Sequence, residues 1–210
     1  MKIVFVGGTK GGTGKTTLSH FVALGAALAG HESAYVLTDP ARHVRESGRP
    51  YPVLDGRNPQ ALAPIVQNAR EAGEGLLVID GGGNRPAFDQ ELARIAHITL
   101  LPYRASEEDL DTVAADLVTM PGAVAWPMAW TTNVFARKAA QPYVEALQQA
   151  FAGRVISTPI PFVNSSAELL STSLENASTM TRNVARATYF ELLDRLEKLE
   201  NLNKTAQVKG

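Results

Sequence analysis

The sequence has no cysteine. That excludes disulfides, thiolate nucleophiles, Cys-ligated zinc and iron–sulfur clusters together, and it suits a reducing compartment. No apolar run approaches the roughly 18 residues a membrane-spanning helix needs, and the opening Met-Lys-Ile-Val-Phe-Val is too brief for a secretory signal core. Neither charge is in excess: 20 Lys and Arg against 21 Asp and Glu leave a formal net charge of −1. A surface for nucleic acid or lipid must then be a local patch. His20, His31, His43 and His97 show no metal-ligand spacing, and no Ser/His/Asp arrangement points to covalent catalysis. Repeats, low-complexity blocks and linkers are missing too. What remains is ordinary globular composition, 45% hydrophobic and 20% charged over 210 residues, enough for one core around a central sheet. The expectation is a soluble cytoplasmic protein with a single domain over residues 1–200 and a polar, frayed tail over 201–210.

Short β-rich runs alternate with helical patterns, which predicts an α/β fold: a mostly parallel twisted sheet with helices on both faces. Strands are expected at 2–6, 34–38, 75–80, 97–102, 123–131 and 154–159. Helices are expected at 16–29, 59–72, 107–119, 139–151, 167–176 and 183–200. Asn58 followed by Pro59 marks one helix start, and Ser106 another. Pro64 and Pro127 fall inside predicted elements, against the usual preference.

The informative segment is Lys10-Gly11-Gly12-Thr13-Gly14-Lys15-Thr16-Thr17. It follows a predicted strand and opens a predicted helix, the setting of a phosphate-binding P-loop. Glycines let the backbone curl so that successive N–H groups converge on phosphate oxygens, and the helix dipole adds positive potential. Lys15 would bridge the β- and γ-phosphates, and the Thr16 hydroxyl would ligate Mg²⁺. Only Thr9 departs from the general pattern, standing where its first glycine belongs. Leu76-Leu77-Val78-Ile79-Asp80 reads as a Walker B strand that delivers Asp80 toward the metal.

With Lys10 at that position, the loop resembles the deviant Walker A motif of the ParA/MinD family of P-loop ATPases. The resemblance implies ATP and Mg²⁺ as cofactors and an ATP-dependent homodimer in which Lys10 contacts the partner's nucleotide. It implies that Asp39, in Leu37-Thr38-Asp39-Pro40, orients the attacking water near the metal. Leu37 and Ala41 replace the family's first aspartate and its glutamine, which leaves room for altered hydrolysis, and Asp39-Pro40 also suits a plain turn. Gly81-Gly82-Gly83 stands where the family senses the γ-phosphate, or is simply a turn. Asn133 and Phe162 match positions beside the adenine, although a strand-end turn explains Asn133 equally well.

Relatives of the ParA type bind DNA non-specifically through basic residues near the C-terminal helices. Here the candidates are Arg182 and Arg186, four apart on one helix face, with Arg137 and Lys138 behind them; a solvated, salt-bridged face is the other reading. The implied function is slow, partner-stimulated ATP hydrolysis that segregates or positions a DNA or protein cargo. It implies a ParB-like partner, nucleoid association in the ATP state and no membrane anchor. With a strand at the very start, no N-terminal helix-turn-helix is expected. The alternatives are a metabolic enzyme of the dethiobiotin synthetase type and a nucleotide-gated interaction module with negligible turnover.

Overall fold

The computed structural model describes the chain except residues 44–45, 83–84, 171–172, 175 and 209–210, and except the side chains of 165–166, 202–203 and 205–208. Among the described residues the strands are β1 (Lys2–Val6), β2 (Ser33–Leu37), β3 (Val53–Asp55), β4 (Leu76–Asp80), β5 (Ile98–Tyr103) and β6 (Ala123–Pro127). They form one six-stranded sheet in the order β3-β2-β4-β1-β5-β6, and every pairing is parallel. The helices are α1 (Lys15–Leu28), α2 (Pro59–Glu71), α3 (Pro86–Ile95), α4 (Glu107–Thr119), α5 (Val134–Ala150) and α6 (Thr179–Val208), with a 3₁₀ helix at Asn164–Leu170.

Both faces of the sheet are covered, so its strands alternate between two apolar cores rather than between core and water. Val4 and Val6 of β1 join Leu18, Phe21 and Val22 of α1 and Ala185, Tyr189 and Leu192 of α6. Their neighbours Ile3 and Phe5 point the other way, against Leu62 and Val66 of α2 and Leu92 of α3. Leu101 and Tyr103 of β5 pack with Val113 and Leu117 of α4 and Leu147 of α5. The contact between α1 and α6 is close enough that a Cβ on Gly25 would lie 2.1 Å from the Ala185 carbonyl oxygen.

Several expected elements change. The strand expected at 154–159 is reduced to isolated bridges, Ala125 with Val155 and Trp130 with Pro161, because Pro159 and Pro161 have no N–H with which to extend a ladder. β6 ends at Pro127; Met128 still donates to the Tyr103 carbonyl, and Ala129, at a positive φ of 54°, turns the chain off the sheet. The helix expected at 167–176 is a 3₁₀ segment ending at Leu170; residues 171, 172 and 175 of that expectation lie outside the described residues. α5 begins earlier than expected, because Asn133 Oδ1 accepts from the N–H groups of Phe135 and Ala136 and caps the helix there. α6 continues through Val208, eight residues beyond the helix end expected at 200. The composition reading missed both β3 and α3. Pro64 is tolerated inside α2 on an exposed face.

Candidate functional site

Three parallel strands end side by side and define the site. Asp80, the last residue of β4, pairs in register with Val6 of β1 and with Leu37 of β2. The loop after β1 and the turn after β2 therefore flank one carboxylate at the C-terminal edge of the sheet, where open α/β sheets bind ligands.

The loop after β1 is the glycine-rich segment found in the sequence. Gly12 and Gly14 sit at φ 77° and 107°, a region side chains rarely adopt, and a Cβ on Gly14 would also crowd Met128 at 3.2 Å. The backbone curl that the sequence implied is thus built on the residues able to make it. Lys15 opens α1 with its side chain under the loop, its ammonium donating to the carbonyls of Gly8 (3.0 Å) and Lys10 (2.7 Å). Burial pulls Lys15 below the ordinary lysine range, opposed by the charges of Asp89, Asp80 and Asp116.

Asp80 is fully buried. Its oxygens accept from Ser19 Oγ at 3.2 Å and Tyr35 Oη at 2.6 Å. Burial raises its pKa, while hydrogen bonds from Tyr35, Thr16 and Ser19 favour the carboxylate. A hydroxyl and a carboxylate in contact, Thr16 and Asp80, are a hard oxygen pair of the kind Mg²⁺ takes beside phosphate. The residues fit the metal. Tyr35 is held in turn by a stack on His20, 4.2 Å between ring centroids, and His20 Nδ1 meets Tyr51 Oη at 2.9 Å. These partners of Asp80 carry no motif in the sequence.

The turn after β2 places Asp39 next to this edge. Its Oδ1 accepts from the Ala41 N–H at 2.9 Å, and Oδ2 lies 3.3 Å from Arg42 Nε. Lys10 is engaged within its own chain: its ammonium pairs with Asp109 and, at 3.0 Å, with Glu108 in the first turn of α4. The hydrogen bond it donates to Asp109 leads the causes that raise its pKa. Phe162 is exposed and lines a cleft with Thr13, Gly14, Thr17, Phe21, Met128 and Arg104, beside the phosphate loop where a base would lie. Asn133 does not line that cleft; its side chain caps α5. Gly83 lies outside the described residues. Arg182 and Arg186 stand on α6, remote in sequence from these loops, Arg186 exposed and Arg182 half-buried.

Asp116 and Asp89 were not singled out in the sequence. Asp116 Oδ2 accepts the Thr9 N–H at 2.9 Å, fixing the start of the loop. Asp89 on α3 is only 2% exposed, and neither carboxylate oxygen has a partner among the described residues. Burial pushes its pKa up to about 6, against the pull of Lys15 and Arg85. Since the unfolded value is near 3.8, the ionised form is disfavoured on folding. The penalty is absent below about pH 4, grows through about pH 6 and is full above it, with an upper bound of about 3 kcal/mol. Asp89→Asn mimics the protonated acid. Urea melts should find it more stable than the parent by about 1–2 kcal/mol at pH 8, with the gap closing by pH 4; equal gaps at both pH values would contradict this account.

The sequence matches no protein-family model and no curated protein. Solved structures do share the fold. MinD cell division protein from Aquifex aeolicus superposes with a TM-score of 0.70 at 14% identity, covering 92% of this chain and 98% of that one. pNOB8 ParA bound to nonspecific DNA gives 0.64 at 13% identity, over 94% and 99%. Cobyrinic acid a,c-diamide synthase from Mycobacterium smegmatis, with bound ADP and magnesium, gives 0.62 at 14% identity, over 89% and 93%. The chain has the fold of the ParA, MinD and cobyrinate synthase ATPases across nearly the whole of its length and theirs.

Proposed function

We propose that this chain is a ParA/MinD-type ATPase, binding MgATP on Gly11–Thr17 and working as a nucleotide-controlled dimer. The observation that carries the reading is the placement of Lys15, Thr16 and Asp80 around one strand edge beneath a glycine loop that also carries Lys10. Lys15 serves the β- and γ-phosphates, and Thr16 and Asp80 hold Mg²⁺, which supplies charge neutralisation to the phosphates. Asp39 orients the attacking water, and Lys10, released from Asp109 and Glu108, reaches the nucleotide of a second copy. A cation that finds its full partner only across the interface makes dimerisation depend on the triphosphate. Phe162 packs beside the base.

The ATP dimer binds DNA non-specifically through Arg182 and Arg186 on α6, and a ParB-like partner stimulates slow hydrolysis that releases it. On this reading the protein works in the cytoplasm, associated with the nucleoid in its ATP state, and moves a DNA or protein cargo. A pNOB8 ParA of the same fold is bound to nonspecific DNA, and no helix among the described residues is long and apolar enough to cross a membrane. A second reading, a nucleotide-gated module with negligible turnover, is favoured by Leu37 and Ala41 and by the pairing of Asp39 with Arg42.

Steady-state ATPase assays with and without duplex DNA test the proposal. Expected is slow turnover stimulated by DNA, with ATP-dependent DNA retention that weakens steeply between 50 and 200 mM salt, as phosphate contacts do. Turnover that requires a small organic acceptor would replace this reading with a metabolic enzyme, and ATP binding without turnover would replace it with the module.

A further inference from the structure

Two arginines flank the Thr38–Asp39 turn, and the motif reading uses neither. Arg85 precedes α3; its Nη2 donates to the Thr38 carbonyl at 2.7 Å, and its guanidinium lies 4.4 Å from the Phe88 ring centroid. A Cβ built on Gly82 would sit 3.4 Å from Arg85 Nε and Nη2 and 3.3 Å from Asp39 Cα. The guanidinium, the Gly82 backbone and the Asp39 backbone are thus packed together, with the strand-end glycine as the spacer that lets them meet. Arg85 Nε is buried with no partner among the described residues. On the other side, Arg42 Nε lies 3.3 Å from Asp39 Oδ2, in the turn that follows β2, whose last residue Leu37 pairs with Asp80.

We propose that Arg85 and Arg42 form a clamp, supplied by the same chain, for the terminal phosphate of a nucleoside triphosphate. The inference rests on the ATPase reading and adds to it how triphosphate is told from diphosphate. The loop amides and Lys15 serve the phosphates nearest α1. The terminal phosphate extends away from that helix, toward the ends of β2 and β4, where Thr38, Asp39 and Gly82 lie. Lys10 is tied to α4 by Asp109 and Glu108, so within one subunit the two arginines are the cations that can join Lys15 at this end. A guanidinium with one arm fixed to a main-chain carbonyl keeps its planar fork oriented and offers its other donors to an anion at small entropic cost. Arg42 carries a further consequence: when it turns from Asp39 to the phosphate, the Asp39 carboxylate is freed for water.

The test compares Arg85→Gln and Arg42→Gln, which keep a hydrogen-bond donor and remove the charge. Calorimetry with the magnesium complexes of AMP-PNP and of ADP should be run in a Lys10→Ala background, so that dimerisation does not enter the affinity. Each variant should lose roughly 10–100-fold in AMP-PNP affinity and stay within about twofold for ADP, which also reports that it is folded. AMP-PNP affinity unchanged in both variants, or AMP-PNP and ADP affinities reduced alike, would overturn the clamp while leaving the ATPase reading standing. A parent protein that binds neither nucleotide would overturn both.

Discussion

Lys15→Ala is expected to abolish nucleotide binding, while Lys10→Ala keeps binding and loses the ATP-dependent dimer. The two lysines stand five residues apart on one loop, yet the structure gives them different surroundings. Lys15 is buried, with its ammonium on the carbonyls of Gly8 and Lys10, within reach of any anion drawn into the curl of the loop. Losing charge-assisted contacts to two phosphates costs about 3 kcal/mol or more, on the order of 100-fold or greater in affinity. Lys10 points away from that curl to Asp109 and Glu108, so its removal leaves the subunit's own phosphate contacts intact. Calorimetry with MgATP reads the first effect and light scattering with ATP the second. A Lys10→Ala protein that still dimerises normally with ATP would show that the lysine does not act across an interface.

Gly25→Ala is expected to destabilise the fold strongly, although alanine is the better helix former. Intrinsic propensity favours alanine by about 1 kcal/mol. Against it stands a Cβ that would lie 2.1 Å from the Ala185 carbonyl oxygen and 2.6 Å from Tyr189 Cβ. The first of these is backbone and cannot rotate aside, so α1 and α6 must separate and loosen the core around Leu18, Val22 and Leu192. Overpacking costs about 1–3 kcal/mol, and a 2.1 Å approach to backbone belongs at the upper end, about 3 kcal/mol, so the steric term wins by about 2 kcal/mol. For a chain of this length the melting temperature should fall by about 4–8 °C, and Gly25→Leu should fail to yield folded protein. Unchanged thermal melts for Gly25→Ala would mean that the helices are not in this contact.

The glycine-rich loop was legible because its geometry is local: Gly12 and Gly14 take the positive φ the curl needs, and Lys15 closes under it on Gly8 and Lys10, all within a few residues. Asp80 was legible for a related reason, since an apolar strand ending in one carboxylate leaves few alternative readings. The surroundings of these residues were not legible. Tyr35 and Asp116 reach the site from segments distant in sequence, and nothing in those segments marks them. α3 carried a signal that the glycine run before it obscured. Pro86 stands at the first helical position, and Phe88, Leu92 and Ile95 fall at i, i+4 and i+7, the stripe of a helix packed on one side. Reading that helix would have brought Arg85 and Asp89 into consideration. Residues 154–159 misled in the opposite direction: β-branched enough for a strand, they meet β6 at a single bridge, Val155 with Ala125, and Pro159 has no N–H with which to continue the pairing.

The long final helix fixes more than a core. Its Ala185 and Tyr189 bear on Gly25 in α1, its Leu192 and Leu196 reach the sheet, and Glu200 pairs with Lys2 at the start of β1. β1 and α1 are the two arms joined by the phosphate loop, so one rod braces both arms, like a splint across a joint. The angle between them is thus set by packing within the chain itself. On the proposed function, the response to a third phosphate then falls to Arg42 and Arg85, which follow β2 and β4 and lie outside this brace.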